Sequence, residues 1–165
     1  MRVLGIDTAL RTTGVAVVEK NGNLWRAVEF GLIKNPQTAP HSACLTKLFD
    51  GVREIIGRAK PDAVAIEGMF YSKSIRVAVI LGEARGAVLT ACGSMGVPVF
   101  EHSPRSVKQA LVGFGSAHKG QVSKMAMAML GLKEAPPEDA ADALGIAICH
   151  LQQQGPLAAL HAKPL

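Results

Sequence analysis

Two short apolar runs that each end in a carboxylate constrain this chain more than any other feature. The first spans residues 2–8 (RVLGIDT) and carries Asp7, and the second spans 62–67 (DAVAIE) and ends in Glu67. Runs of this length and composition are typical of buried strands. If the two strands are parallel neighbours, both carboxylates emerge at the same edge of a sheet, where α/β proteins place their sites.

The pattern of the whole chain predicts one α/β domain. A hairpin turn at Asn21-Gly22-Asn23 joins two strands, and later strands alternate with helices, which predicts a five-stranded mixed sheet with helices on both faces. The domain should span 1–154, with a flexible C-terminal tail at 155–165. The expected strands are 2–8, 13–20, 24–34, 62–67 and 97–101, and the expected helices are 42–59, 75–95, 104–112, 119–130 and 138–153.

Composition excludes several classes of protein. Hydrophobic residues form 48% of the chain, which excludes a disordered protein, and the apolar run 78–92 contains Glu83 and Arg85, which argues against a membrane span. The N-terminus leads directly into a strand pattern without a signal peptide, so we expect a cytoplasmic protein. The cysteines form no CxxC pair, and we expect reduced core residues rather than disulfides or zinc ligands at Cys44, Cys92 and Cys149.

Two further acids, Asp139 and Asp142, lie three residues apart in the predicted last helix and therefore share a face. Each acid has a structural alternative. Asp7 can cap a turn, and Asp139 can interact with the dipole at the start of the helix. Glu67 has no evident local partner, whereas we expect Glu138 to be solvated.

Taken together, the four acids predict a metal site. Carboxylates crowded at one sheet edge stay ionised only if a cation neutralises them, and oxygen ligands select Mg²⁺ or Mn²⁺. Four carboxylates around two such ions, about 4 Å apart, form the arrangement used in two-metal phosphoryl chemistry. The predicted catalytic and metal-binding residues are Asp7, Glu67, Asp139 and Asp142.

The formal net charge of +5 indicates a polyanionic partner held over this acidic site. In the stretch 104–124, basic side chains surround Gly113-Phe114-Gly115-Ser116, whose main-chain N–H groups can approach phosphates. The alternative is a solvated loop with ordinary surface lysines. The basic residues of this stretch are Arg105, Lys108, Lys119 and Lys124.

The stretch GMFYSKSIR (68–76) directly follows Glu67. Its aromatic residues can stack on bases and its cations can contact phosphates, whereas the alternative is that Phe70 fills the core. The candidate nucleic-acid-binding residues here are Phe70, Tyr71, Lys73 and Arg76. Of the histidines, His150 is expected in the core, and His118 is a weak candidate for proton transfer or phosphate contact.

The motifs together resemble the RuvC family of bacterial Holliday junction resolvases. The resemblance runs in order from about residue 2 to 150. It rests on GIDTALRTTGVAVV, VAIEGMFYSKS, LGEARGAVL, RSVKQALVGFGSAHKGQV and EDAADALGIAICH. The first of these motifs is weakly specific, whereas the last two together are strongly specific.

This resemblance implies a ribonuclease-H-like fold and a homodimer that makes paired, Mg²⁺-dependent nicks in a four-way DNA junction. It implies that the four acids bind metal, that Phe70 contacts junction bases, and that Lys108 and Lys119 contact DNA near the scissile phosphate. The LGEARGAVL segment corresponds to the dimer-forming helix. The family also implies a RuvA–RuvB partner complex.

One departure from the family pattern concerns the first turn. Thr8-Ala9 stands where the family usually has Pro-Gly. A turn that used glycine at positive φ would be strained with alanine, so we expect this turn to be built differently.

Three other functions are open to sequence reasoning. A ribonuclease-H-like nuclease of the YqgF kind, acting on RNA, shares the opening motif but not the later ones. A sugar-kinase or actin-like ATPase needs two such domains, and the chain is too short. An inactive junction-binding module would fit the changed turn, although all four carboxylates are retained.

Overall fold

The computed structural model describes residues 1–68, 74–154 and 164–165. The described strands are β1 (Arg2–Asp7), β2 (Thr12–Asn21), β3 (Leu24–Lys34), β4 (Ala63–Glu67) and β5 (Val99–His102). The described helices are α1 (His41–Ala59), α2 (Ile75–Ser94), α3 (Pro104–Val112), α4 (Lys119–Leu130) and α5 (Glu138–Gln153).

The strands form a mixed sheet in the order β3-β2-β1-β4-β5. β1, β2 and β3 pair antiparallel, whereas β4 runs parallel to both β1 and β5. The β1–β4 register pairs Ile6 with Ile66, so Asp7 and Glu67 follow side by side at the carboxyl edge. β1 and β4 are therefore parallel neighbours, which is the condition under which both carboxylates emerge at the same sheet edge.

Helices cover both faces of the sheet, as predicted. α3, α4 and α5 pack on one face, against small strand residues such as Ala16, Ala63 and Ala65. α1 and α2 pack on the other face, against larger residues such as Leu4 and Ile66. The strand side chains under α3, α4 and α5 are therefore smaller than those under α1 and α2.

The predicted element bounds agree with the structure to within two residues. The largest difference is in β5, which begins at Val99 rather than at 97 and continues to His102. Pro98 carries no N–H group, so it cannot donate to the ladder, and this delays the start of the strand. Three buried, free cysteines confirm the expected core positions of Cys44, Cys92 and Cys149.

Two predictions fall largely outside the described residues. The loop aromatics and Lys73 belong to 69–73, and most of the expected tail belongs to 155–163. At the chain end, the Leu165 N–H group donates a hydrogen bond to the Val99 carbonyl oxygen at 2.9 Å. Within the described part of the chain, every helix is too short or too polar to span a membrane.

Candidate active site

The carboxyl ends of β1 and β4 meet the first turns of α5 in one cleft. Carboxylate oxygens of Asp7, Asp139 and Asp142 lie within 4.8 Å of one another. Glu67 lines the same cleft together with Asp7 and Asp142, but it stands outside that tightest group. The four acids chosen from the sequence are therefore brought to one place, three of them within reach of a single cation.

Two glycines allow α5 to approach the sheet closely enough to form this cluster. A Cβ atom on Gly14, in β2, would lie 1.9 Å from the Asp139 carbonyl oxygen. A Cβ atom on Gly5, in β1, would lie 2.1 Å from the Ala143 carbonyl oxygen. Both contacts are with helix main chain, which cannot swing aside as a side chain can. The absence of side chains at these two positions therefore sets where the acids of α5 lie.

The crowding raises the pKa of Asp7 to about 7. Burial is the largest cause, followed by the negative charges of Asp142, Glu67 and Asp139. The pKa of Glu67 is raised as well, first by burial and then by the charge of Asp142. Acids that repel one another in a partly buried cleft are stabilised in their charged form by a cation.

Lys119, at the start of α4, is an internal cation of the cluster. Its Nζ atom lies 2.6 Å from Oδ2 of Asp142 and 2.9 Å from Oε1 of Glu138. Burial acts to lower the pKa of Lys119, but the hydrogen bonds to these two acids outweigh it and raise that pKa. Glu138, expected to be solvated, is mostly exposed, yet it helps to hold this lysine.

Asp142 shows that this lysine does not neutralise the cluster completely. The pKa of Asp142 is raised, because burial outweighs the hydrogen bond that Lys119 donates. Lys108, in α3, lines the same cleft, and its charge acts against the raised pKa of Glu67. Two lysines, one from α3 and one from α4, therefore lie in the same cleft as the acids.

The other predicted DNA contacts have different positions. Arg76 is exposed in the first turn of α2, and Arg105 is exposed on α3. The Arg105 side chain packs over Gly115, where an added Cβ atom would lie 2.5 Å from Arg105 Cγ. Neither arginine is among the described residues that line the acidic cleft. Phe70, Tyr71 and Lys73 lie outside the described residues.

The first turn is built without a left-handed residue. The Thr13 side chain accepts a hydrogen bond from the Ala9 N–H group at 3.2 Å and donates one to the Ala9 carbonyl oxygen. In the ranges that the structure describes, Lys60 is the single non-glycine residue with positive φ. Ala9 is therefore unstrained, which agrees with the expectation that this turn differs from a glycine-based one.

Sequence reasoning found His150 in the core but missed its partner. His102 Nε2 and His150 Nδ1 are 3.0 Å apart, and both rings are buried. Burial and the nearby His102 lower the pKa of His150 to about 4. The two residues are far apart in sequence, and no local pattern links β5 to the end of α5.

The fold and the site define a class of protein. A mixed five-stranded sheet with helices on both faces, and an acidic cluster where parallel strands end, is the arrangement of a ribonuclease-H-like, metal-dependent nuclease. Structural comparison agrees: the yeast mitochondrial Holliday junction resolvase Ydc2 shares the fold, with a TM-score of 0.68 and 13% identity over 92% of this chain and 78% of that one.

Closer relatives give the family. A model of the family "Crossover junction endodeoxyribonuclease RuvC" matches residues 3–150. The protein of that name from Chloroflexus aggregans is 45% identical over 151 residues, which cover 91% of this chain and 92% of the relative. The structure of Thermus thermophilus RuvC in complex with Holliday junction substrate is 38% identical, with a TM-score of 0.92 over 100% of this chain and 99% of that one. This chain belongs to the RuvC family of crossover junction endodeoxyribonucleases.

Proposed function

We propose that this protein is a structure-selective endonuclease that resolves four-way (Holliday) DNA junctions by paired, symmetric nicks. The observation that carries the proposal is the cleft in which four acids are flanked by Lys108 and Lys119. Acids suit a divalent metal, and the lysines suit the phosphate to be cut. Neither group of residues alone would favour a nuclease over an ordinary charged surface.

The acids fit Mg²⁺, two ions per subunit, with Mn²⁺ able to substitute. Asp7, Asp139, Asp142 and Glu67 would hold them, since an all-oxygen donor set matches a hard divalent cation. The raised pKa values of Asp7, Glu67 and Asp142 support this assignment, because a bound cation would stabilise their charged forms. When bound, such ions supply a water activated at neutral pH and charge stabilisation for the leaving oxygen.

The protein's own side chains have separate tasks. Asp7 and Glu67 sit at the ends of paired strands, so their carboxylates are oriented by the rigid sheet. Lys119 can exchange its contact with Asp142 for a phosphate oxygen when DNA enters the cleft. Lys108 supplies a second cation in the same cleft, so the phosphate would be held from α3 and α4 together.

Other basic and aromatic residues would bind the arms and centre of the junction. Arg76 and Arg105 are exposed and would contact phosphates, and we assign Phe70, Tyr71 and Lys73 to contacts with junction bases and backbone. The net charge of +5 supports a large phosphate contribution to affinity. Binding should therefore weaken steeply as salt concentration rises.

Paired nicks need two active sites, and α2 offers a surface for a homodimer. One stripe of this helix combines exposed apolar side chains with glycines at which a Cβ atom would meet nothing within 4 Å. The opposite stripe is buried in the core that α2 shares with α1 and the strands. Small residues let two helices approach closely, so two copies can pack along this stripe. The residues of the exposed stripe are Ile75, Val79, Gly82, Gly86 and Gly93.

We place the protein in the cytoplasm, in homologous recombination and DNA repair, with a RuvA–RuvB branch-migration complex as partner. Three free, buried cysteines suit a reducing compartment. Residues 1–154 would form the nuclease domain, with 155–165 as a tail.

The test is an incubation of the purified protein with a synthetic four-way junction and Mg²⁺, beside duplex DNA, an RNA–DNA hybrid and structured RNA. Symmetric nicks in the junction alone would support the proposal. Tight junction binding without nicks in either Mg²⁺ or Mn²⁺ would instead indicate a binding module. Cleavage of the RNA substrates would support the assignment as a nuclease but contradict the assignment of the four-way DNA junction as its substrate. Sedimentation of the free protein tests the dimer independently.

A further inference from the structure

Arg85 connects α2, β4 and β5 at the carboxyl end of β4. Its Nη1 atom donates a hydrogen bond to the main-chain carbonyl oxygen of Glu67 at 3.1 Å. Its Nη2 atom donates to the Glu101 carboxylate, in β5. Arg85 itself lies in α2, and its side chain is only 14% exposed. One guanidinium therefore ties α2 and β5 to the last residue of β4.

The Glu67 carbonyl and the Glu67 carboxylate both extend from the same Cα atom, the first in the main chain and the second in the side chain. The carboxylate lies in the acidic cleft with Asp7 and Asp142, on the α5 side of the sheet, whereas Arg85 approaches from α2 on the other side. A shift of residue 67 as a whole would move both groups together. A donor to the carbonyl therefore restrains the position of the Cα atom from which the carboxylate side chain extends.

Gly68 tightens the same corner. Its N–H group donates to the His102 carbonyl oxygen at 2.8 Å. A Cβ atom at this position would lie 2.9 Å from Oε1 of Glu101. Because Arg85 holds that carboxylate, Glu101 cannot turn away without breaking the pair. The missing side chain at residue 68 therefore leaves room for the Glu101 carboxylate that Arg85 holds.

We propose that Arg85, held by Glu101, is a positioning residue that orients Glu67 for divalent metal binding. The inference rests on the proposed role of Glu67 as a metal ligand. An arginine suits the task because its planar fork donates to two acceptors in fixed directions, whereas a lysine is a point charge on a flexible stem. Low exposure strengthens both hydrogen bonds and makes their loss costly.

The experiment compares Arg85→Gln, Arg85→Lys and Glu101→Gln in the full chain. Mg²⁺ binding is measured by calorimetry without DNA, and single-turnover cleavage is measured on pre-bound junction over a range of Mg²⁺ concentrations. We expect Arg85→Gln to weaken Mg²⁺ binding and slow cleavage by about 10- to 100-fold, the range for residues that orient metal ligands. Junction affinity should stay unchanged, excess Mg²⁺ should recover part of the rate, and Arg85→Lys should be intermediate.

A matched control is Arg58→Gln, which removes another arginine–glutamate pair, between Arg58 Nη2 and Glu29 Oε2 at 2.8 Å on the α1–β3 side. It should leave Mg²⁺ affinity and cleavage unchanged. Wild-type Mg²⁺ affinity in Arg85→Gln, with or without a lower melting temperature, would overturn the inference. If circular dichroism shows that this variant does not fold, wild-type affinity in both Arg85→Lys and Glu101→Gln would overturn it.

Glu67→Gln separates this inference from the assignment of Glu67 as a ligand. If Glu67→Gln binds Mg²⁺ and cleaves like the wild type, that assignment fails, and the inference that depends on it fails too. If Glu67→Gln loses metal while Arg85→Gln does not, only the positioning role of Arg85 fails.

Discussion

The two faces of the sheet are built from side chains of different size. On the α1–α2 face the strands present larger side chains, such as Leu4, Ile6 and Ile66. On the α5 face they present mainly alanine and valine, with Gly5 and Gly14 under the helix. The large strand side chains bury more apolar area, whereas the small ones let the main chain of α5 approach the strands closely.

This difference places the acidic cluster on the side of the sheet where the strands carry the smaller side chains. Burial of large aliphatic chains contributes about 1.5–3 kcal/mol per side chain. Alanine and glycine contribute less, but they allow α5 to bring Asp139 and Asp142 within 4.8 Å of Asp7. The acidic cluster therefore depends on the part of the core that has the smallest side chains.

The largest effect should come from Asp7→Asn. It removes a charged ligand from the centre of the cluster, so we expect cleavage in Mg²⁺ to be abolished while junction binding persists. Gel-shift and nicking assays measure the two separately. Asp50→Asn, which changes an exposed acid of α1, is the matched control and should cleave normally. Cleavage by Asp7→Asn at the wild-type rate would disprove the metal assignment.

Gly14→Ala should directly disturb the face on which α5 packs. The new methyl group would meet the Asp139 carbonyl oxygen, so the first turn of α5 must move away from β2. We expect cleavage to fall by about 100-fold, as for a displacement of about 1 Å in a catalytic group. Gly31→Ala is the control, because its Cβ atom would meet nothing within 4 Å. Equal cleavage rates in the two variants would show that close packing of α5 is not required.

A pair of leucine truncations compares the faces at equal burial. Leu48, in α1, and Leu144, in α5, are both essentially inaccessible to solvent. Each change to alanine should lower the free energy of unfolding by about 2–5 kcal/mol. At a temperature where both variants are folded, only Leu144→Ala should also slow cleavage, because it loosens the helix that carries Asp142. Chemical denaturation and single-turnover assays give the two quantities.

The smallest effect should be the pH dependence of stability without metal. The pKa of Asp7 is about 7 in the folded protein against 3.8 for the free residue. The folded state thus holds this proton more tightly, and the resulting stabilisation is lost as pH rises from about 4 to 7. In EDTA, wild-type stability relative to Asp7→Asn should fall by about 2 kcal/mol between pH 5 and 7. Urea denaturation measures both free energies of unfolding. A difference between wild type and Asp7→Asn that stays constant over this pH range would contradict the prediction.

The sequence predicted most of the fold because each element carries a local signal. Period-2 and period-3.6 patterns, the hairpin turn at Gly22 and the break at Pro61 mark the elements without reference to distant residues. The acids could also be chosen from local context, because a charge that ends an apolar strand is conspicuous. That the two strands are parallel neighbours was only a condition of the sequence argument, and the tertiary structure decided it.

Contacts between distant residues could not be predicted in the same way. Lys119 and Asp142, His102 and His150, and Arg85 and Glu101 are joined only by the tertiary structure. The same holds for the unequal placement of the four acids, with Glu67 outside the closest group.

The sequence by itself determined which residue types are present, their periodicity and the strand ends at which charges fall, because these depend on the local chain. Only the tertiary structure decided the distances among those charges and the raised pKa of Asp7. Both depend on how closely α5 packs on β1 and β2 and on how much water is excluded there, which are properties of the assembled core.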